Sequence, residues 1–272
     1  MRVDAAQLVI GAILAVSTTH VPAHPRLSAA AGPTACASRG VDTVTRPQGF
    51  RVVVVPALLD LTPDSVTLSY VVTVVPTARD SLTSFMVDAP AVLHVRVPNA
   101  WSGAWSSTSW HERVTAGWGV DSAFLGPGSS TPPLVYSARG VVDIVRYWAE
   151  ADEPPNTVDT VLASDSIPTP PSADTAVTLY GTTGFTVGVG PMPVDRSPAG
   201  LASRLANLIT RACRLGWVDD PAVCDSLRAK VRPDAASLAA LLRELGAQRG
   251  RHVSEAAFVL VSANANMLLG RL

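Results

Sequence analysis

The stretch SPAGLASRLANLITRACRLGWVDDPAVCDSLRAKVRPDAASLAALLRELGAQRGRHVSEAAFVLVSANANMLLGRL, residues 197–272, decides how this chain divides, because its helix signals and its cysteines agree with one another. Ser197 supplies a hydroxyl able to cap free backbone N–H groups, and Pro198 a ring suited to a first helical turn. Leu201, Leu205, Leu208, Ile209 and Ala212 then recur at helical spacing, and Gly216 stops the helix. Asp219 or Asp220, with Pro221, starts a second and shorter helix carrying Val223, Leu227 and Val231 on its buried side. Pro233 opens a third, with Leu238, Leu241, Leu242 and Leu245 as its stripe and Gly250 placed to end it. Ser254 caps a fourth, whose stripe is Phe258, Val261, Ala265, Leu268 and Leu269.

Four helices joined by short turns, each with one oily face, can hide those faces only against one another. An antiparallel four-helix module is the economical packing. Cys213 falls near the end of the first helix and Cys224 early in the second, so a helical hairpin would bring them together. A disulfide is the reading adopted, with two buried free thiols as the alternative. Closing so short a loop would stabilise the module by roughly 2–4 kcal/mol, a large share for a core of this size.

The run from Leu201 through Cys213-Arg-Leu-Gly-Trp217, Val223-Cys224-Asp-Ser-Leu227-Arg-Ala-Lys230, Leu241-Leu-Arg-Glu-Leu245-Gly-Ala-Gln248-Arg-Gly250-Arg-His252-Val253 and Ala-Asn266-Met-Leu-Leu269 resembles a FIMAH-type domain. The resemblance covers roughly the last quarter of the chain and rests on stripe and turn residues. It implies a C-terminal helical module of exported bacterial proteins, often appended to catalytic or binding domains. It implies no catalytic residue. The two cysteines and the Gly216-Trp217 pair mark a variant of the pattern.

The chain has 272 residues, a net charge of −1 and 47% hydrophobic content, which suits a folded protein of about two domains. The near-neutral balance, without basic blocks, argues against nucleic acid as a partner. Lys230 is the only lysine. That bias, with abundant Ala, Val and Pro, points to a GC-rich bacterial genome and says nothing of function.

Residues 1–23 carry one early arginine, an apolar run from Leu8 to Val16, and Val21-Pro22-Ala23, whose small residues suit a signal peptidase. The run is shorter than the about 20 residues a spanning helix needs, so a cleaved export signal is expected, with no membrane span after cleavage. Later cleavage near Ala35, or lipid attachment at Cys36, are the alternatives; Cys36 lacks the leucine that a lipobox places three residues before. Residues 24–47 are rich in Ala, Ser, Pro and Gly without periodicity and read as a flexible linker in which Cys36 has no assigned partner.

Residues 48–190 change character. Arg51–Val55, Val66–Val75, Ser84–Val87, Val92–Val97, Val114–Val120, Gly140–Trp148, Thr160–Ala163 and Thr175–Val189 are runs of strand formers. Within the second, Val66, Leu68, Tyr70, Val72 and Val74 alternate with Thr67, Ser69, Val71 and Thr73, as in a strand with one face more buried than the other. About eight strands with no helix between them favour an all-β, immunoglobulin-like sandwich. Asp152–Pro155 and Ile167–Pro171 read as loops, and Gly181, Gly184, Gly188 and Gly190 as a β-turn and strand end. The fold class expected is therefore α+β in separate domains: the sandwich, a linker at 191–196, and the helical module at 197–272.

Candidate binding residues are Trp101, Trp105, Trp110 and His111, in a segment where Trp118 follows closely. Indole rings on a loop can stack on sugar rings; they can equally fill a sandwich core or cover its end. Chemistry beyond that is fragmentary. His111-Glu112 lacks the second histidine of a zinc-protease helix, since Thr115 stands there. His20 is expected to leave with the signal, His24 and His94 have no acidic or cysteine neighbours at ligand spacing, His252 lies in a helix turn, and neither a Gly-x-Ser-x-Gly elbow nor a phosphate-binding loop is present. Asp60 with Asp64, or Asp152 with Glu153, could serve as paired carboxylates only if folding set them across a cleft. The sequence thus implies no cofactor and no metal site.

The functional expectation is an exported, non-catalytic surface or periplasmic protein whose partner is a cell-envelope component, a polysaccharide or another protein. A secreted carbohydrate-active hydrolase or carbohydrate-binding protein using the tryptophan-rich segment is the alternative.

Overall fold

A computed structural model describes residues 50–78, 80–107, 114–120, 124–151 and 181–272, with the backbone alone over 102–107. All of them fall within one compact unit, Thr43–Leu272. The export signal, the linker with Cys36, the run Thr160–Ala163, both loops near Asp152 and Ile167, and the side chains of Trp110 and His111 lie outside the described residues.

Among the described residues, nine strands precede four helices. The strands are β1 (Val52–Leu61), β2 (Ser65–Val74), β3 (Leu82–Asp88), β4 (Val92–Arg96), β5 (Ser102–Ser107), β6 (Thr115–Gly119), β7 (Leu134–Arg139), β8 (Val141–Ala151) and β9 (Gly181–Gly190). They form two antiparallel sheets, ordered β1-β2-β7-β4 and β5-β6-β3-β8-β9. The first order, set over β3-β8-β9, is the immunoglobulin arrangement, and β6 and β5 extend the second sheet where variable-type domains add two strands. The chain order differs, because β4 is laid down in the first sheet before the β5–β6 pair.

The alternation in β2 builds the core directly. Val66, Leu68, Tyr70, Val72 and Val74 are wholly buried, and Tyr70 packs with Phe85, Trp118 and Tyr136 at ring-centroid distances of 5.6–6.3 Å. Trp118 donates its indole N–H to Arg96 O at 3.0 Å, so this tryptophan fills the core. Two strands depart from the sequence reading. Ser102–Ser107, taken as part of a tryptophan-bearing loop, is β5; its pairing with β6 overrides the turn-like composition. Leu134–Arg139 is β7, its alternation of Leu134, Tyr136 and Ala138 being too short to stand out after two prolines. A third correction concerns the glycines, which lie within β9 and leave room for β8 side chains. A Cβ on Gly190 would sit 2.6 Å from the Asp143 carboxylate.

The outer edge of β9 is met by the opposite sheet. Tyr70 Oη donates to Val187 O at 2.8 Å, Val189 N–H donates to Tyr136 Oη at 3.0 Å, and the two hydroxyls are 3.4 Å apart. Buried strand-edge groups thereby find partners that no neighbouring strand offers.

The helices are α1 (Pro198–Arg214), α2 (Pro221–Ala229), α3 (Ala235–Gln248) and α4 (Glu255–Leu269). Ser197, Asp220, Asp234 and Ser254 each cap the following helix through a side-chain oxygen. The third cap is Asp234 rather than the turn at Pro233, because Pro cannot provide the oxygen that Asp234 offers to Ser237 N–H at 2.8 Å. Gly216 and Gly250 both have positive φ, 70° and 74°, in the turns that end α1 and α3. Those two connections are zipped together: Val218 bridges Val253, Ser254 N–H donates to Trp217 O at 2.9 Å, and Asp219 N–H donates to His252 O at 3.1 Å. Cys213 and Cys224 form the disulfide, with Cα atoms 6.2 Å apart.

The expected stripes are buried except at Val231, Leu242, Phe258 and Leu269, which are half-buried, and the helices have a core of their own around Leu205, Ile209, Leu227, Leu241, Leu245 and Leu268. A second face of α1 and α4 does not belong to it. Leu208, Ala212, Val259, Leu260 and Ala263 join the hydrophobic cluster of the sandwich, with α4 against β1, β8 and β9.

Burial governs how the two core tyrosines respond to alkali. Desolvation pushes the Tyr70 phenol well above its ordinary value of 10.0, and raises Tyr136 to about 12 against the lowering pull of Tyr70 and the Val189 N–H. In the unfolded chain both ionise near 10; in the folded chain they keep their protons. The stability they contribute is fully present below that pH and is lost as pH rises toward about 12. Melting temperature should hold steady up to the ordinary phenol value and then fall steeply, and Tyr136→Phe should flatten the fall. An identical profile in the variant would contradict this.

Candidate functional site

The distinctive polar geometry lies where the helices meet the sandwich. β3 pairs with β8 only over Tyr147–Ala151, so the first half of β8 is paired with β9 alone. The backbone of Val142 and Ile144 on that side needs other partners, and they come from the helices. Asn264, on α4 and only 3% exposed, donates Nδ2 to Val142 O at 3.0 Å and to Leu260 O at 2.8 Å. Arg204, on α1, donates to Asn264 Oδ1 and to the Asp143 carboxylate, both at 2.8 Å, and lies 3.3 Å from Val142 O. Arg211, two helical turns on, reaches Asp143 Oδ1 at 3.4 Å and Ile144 O at 3.5 Å. Asp143 Oδ1 also accepts the Ile144 N–H at 2.7 Å.

This is a closed set. One carboxylate, two guanidiniums and one amide satisfy each other and two strand carbonyls across α1, α4 and β8. Its effect is to fasten α1 and α4 to β8. Sequence reasoning missed all four side chains because Asp143 stands in a strand run and Arg204, Arg211 and Asn264 interrupt no stripe. The one available signal was Asn264, a polar residue within the apolar run of the fourth helix.

Beside this junction lies a cleft of about 500 Å³, bounded by the β1–β2 turn, residues 192–196, the start of α1 and the end of α4. Leu61, Val141, Leu201 and Met267 wall it, and Arg196 and Arg271 stand at it, exposed.

The sequence-derived candidates are elsewhere. Trp101 is half-buried against the sandwich core at the entry to β5, and its backbone N–H donates to Pro98 O at 3.2 Å. Trp105 is in β5, opposite Gly117 of β6. Trp110 and His111 lie outside the described residues, so no described geometry joins the four. Asp60 and Asp64 are both exposed, at the end of β1 and in the following turn. His94 is exposed on β4, and His252 Nδ1 lies 3.0 Å from Asp219 Oδ1 in the zipped connections. Among the described residues, no group of three or more His, Cys, Asp or Glu is placed to hold a metal ion, and no helix is long and apolar enough to cross a membrane.

No protein-family model matches the chain, and no curated protein matches it. An uncharacterized protein from Nocardia farcinica, whose crystal structure reveals an immunoglobulin-like fold, is similar over 48% of this chain and 95% of its own, at 16% identity and a TM-score of 0.28. At that score the likeness carries no weight; the immunoglobulin-like character rests on the strand pairing above.

Removing the carboxylate of Asp143 leaves Arg204 and Arg211 facing one another at the junction without their shared counter-charge. Asp143→Ala should cost about 1–3 kcal/mol, and Asn264→Ala, which strips Val142 O of its best donor, a similar amount. Denaturant titration of both variants and of the double variant checks this: shared partners predict a double-variant loss smaller than the sum of the single losses. Strict additivity would contradict the shared network.

Proposed function

We propose that this is an exported, non-catalytic protein of the cell envelope or surface. Its β-sandwich serves as a binding or spacing module, and its disulfide-closed, FIMAH-like helical module attaches it to an envelope component or partner. The observation that carries this reading is the fastening of α1 and α4 to β8 through Asp143, Arg204 and Asn264. A module joined this firmly transmits the position of whatever it holds to the sandwich, which a swinging tether would not do. The Cys213–Cys224 disulfide supports export, since such bonds persist in oxidising compartments.

The purified protein should co-sediment with isolated envelope material or with an insoluble polysaccharide, and release no sugar from either. Cys213→Ser with Cys224→Ser should weaken binding while the sandwich stays folded, read by tryptophan fluorescence. Release of reducing sugar, or failure to co-sediment with any fraction, would overturn the proposal.

A further inference from the structure

We propose that the cleft beside the junction binds a small amphiphilic anion: an apolar body bearing a carboxylate. Its volume of about 500 Å³ falls within the range of small-molecule sites, about 300–1,000 Å³. Four separate parts of the chain build it, so it depends on the folded union of sheet and helices. Leu61, Pro63, Val141 and Leu201 give apolar walls, and Met192 and Met267 add unbranched thioethers that adapt to an irregular apolar guest.

The charge at the cleft has one sign. Arg196 and Arg271 both border it, both are exposed, and among the described residues neither guanidinium has an ion-pair or hydrogen-bond partner. The neighbouring acceptors are engaged elsewhere, and Asp195 is not among the residues that line the cleft. The Asp195 carboxylate accepts the Ser197 N–H at 2.9 Å, and the Asn266 and Leu268 carbonyls at the end of α4 accept from Gly270 and Arg271 N–H, each at 3.0 Å. Two unpaired guanidiniums beside an apolar hollow complement a planar carboxylate on an apolar chain, since the guanidinium fork matches carboxylate geometry. The Asn266 side-chain amide, also bordering the cleft, offers a further donor. Such a site would stand whether or not the helices attach to an envelope component.

Calorimetric titration of the purified protein with sodium decanoate, with decan-1-ol and with inorganic phosphate tests this. Decanoate should bind saturably at one site, the alcohol at least tenfold more weakly, and phosphate without measurable heat. Arg196→Gln with Arg271→Gln, both at exposed positions, should weaken decanoate at least tenfold with the melting temperature unchanged. Met192→Trp, which fills the hollow from the connecting segment, should do the same. Absence of saturable decanoate binding, equal binding of the alcohol, or undiminished binding in the folded arginine variant would overturn the proposal. Envelope co-sedimentation reads the attachment role separately, so failure of one leaves the other intact.

Discussion

Two carbonyl oxygens, those of Val142 and Ile144, lie on a stretch of β8 that has lost its β3 neighbour, and the placing of the helices follows from how they are satisfied. A buried carbonyl left without a donor costs about 1–3 kcal/mol, so a strand that outruns its sheet must recruit partners or stay wet. Here the partners are an amide on α4 and guanidiniums on α1, held in register by the Asp143 carboxylate. Gly190 permits this, because a side chain at that point would displace the carboxylate.

The same constraint explains α4. A surface helix needs one apolar stripe, but α4 buries Ala257, Val259, Leu260, Val261, Ala263 and Ala265, which lie nearly all round it. One side completes the helical core and the other completes the sandwich. The 191–196 segment therefore joins elements that already touch, and the two hydrophobic clusters meet on a single helix.

Much of the helical part was legible because its signals are local. Ser197, Asp220 and Ser254 cap where a hydroxyl or carboxylate precedes a stripe, and Cys213 and Cys224 are joined as a hairpin requires. The β2 alternation was legible for the same reason. β5 was not, since Ser102–Ser107 becomes a strand only through β6, and β9 was obscured by glycines whose purpose is set by β8 residues some 40 positions away. The junction left a single trace in the sequence, Asn264 within the apolar run of the fourth helix. Arg204, Asn264 and Asp143 are ordinary surface residue types until the fold brings three elements together, and the cleft residues Leu61, Arg196 and Arg271 are equally scattered.

The central claim is that sheet and helices are one cooperative structure. Denaturant unfolding followed at once by tryptophan fluorescence, which reports chiefly on the sandwich because five of the six tryptophans lie between Trp101 and Trp148, and by far-ultraviolet circular dichroism, which reports chiefly on the four helices, tests it most directly. Coincident transitions with a single midpoint are predicted. Two separated transitions, with the helices outlasting the sandwich or the reverse, would contradict it.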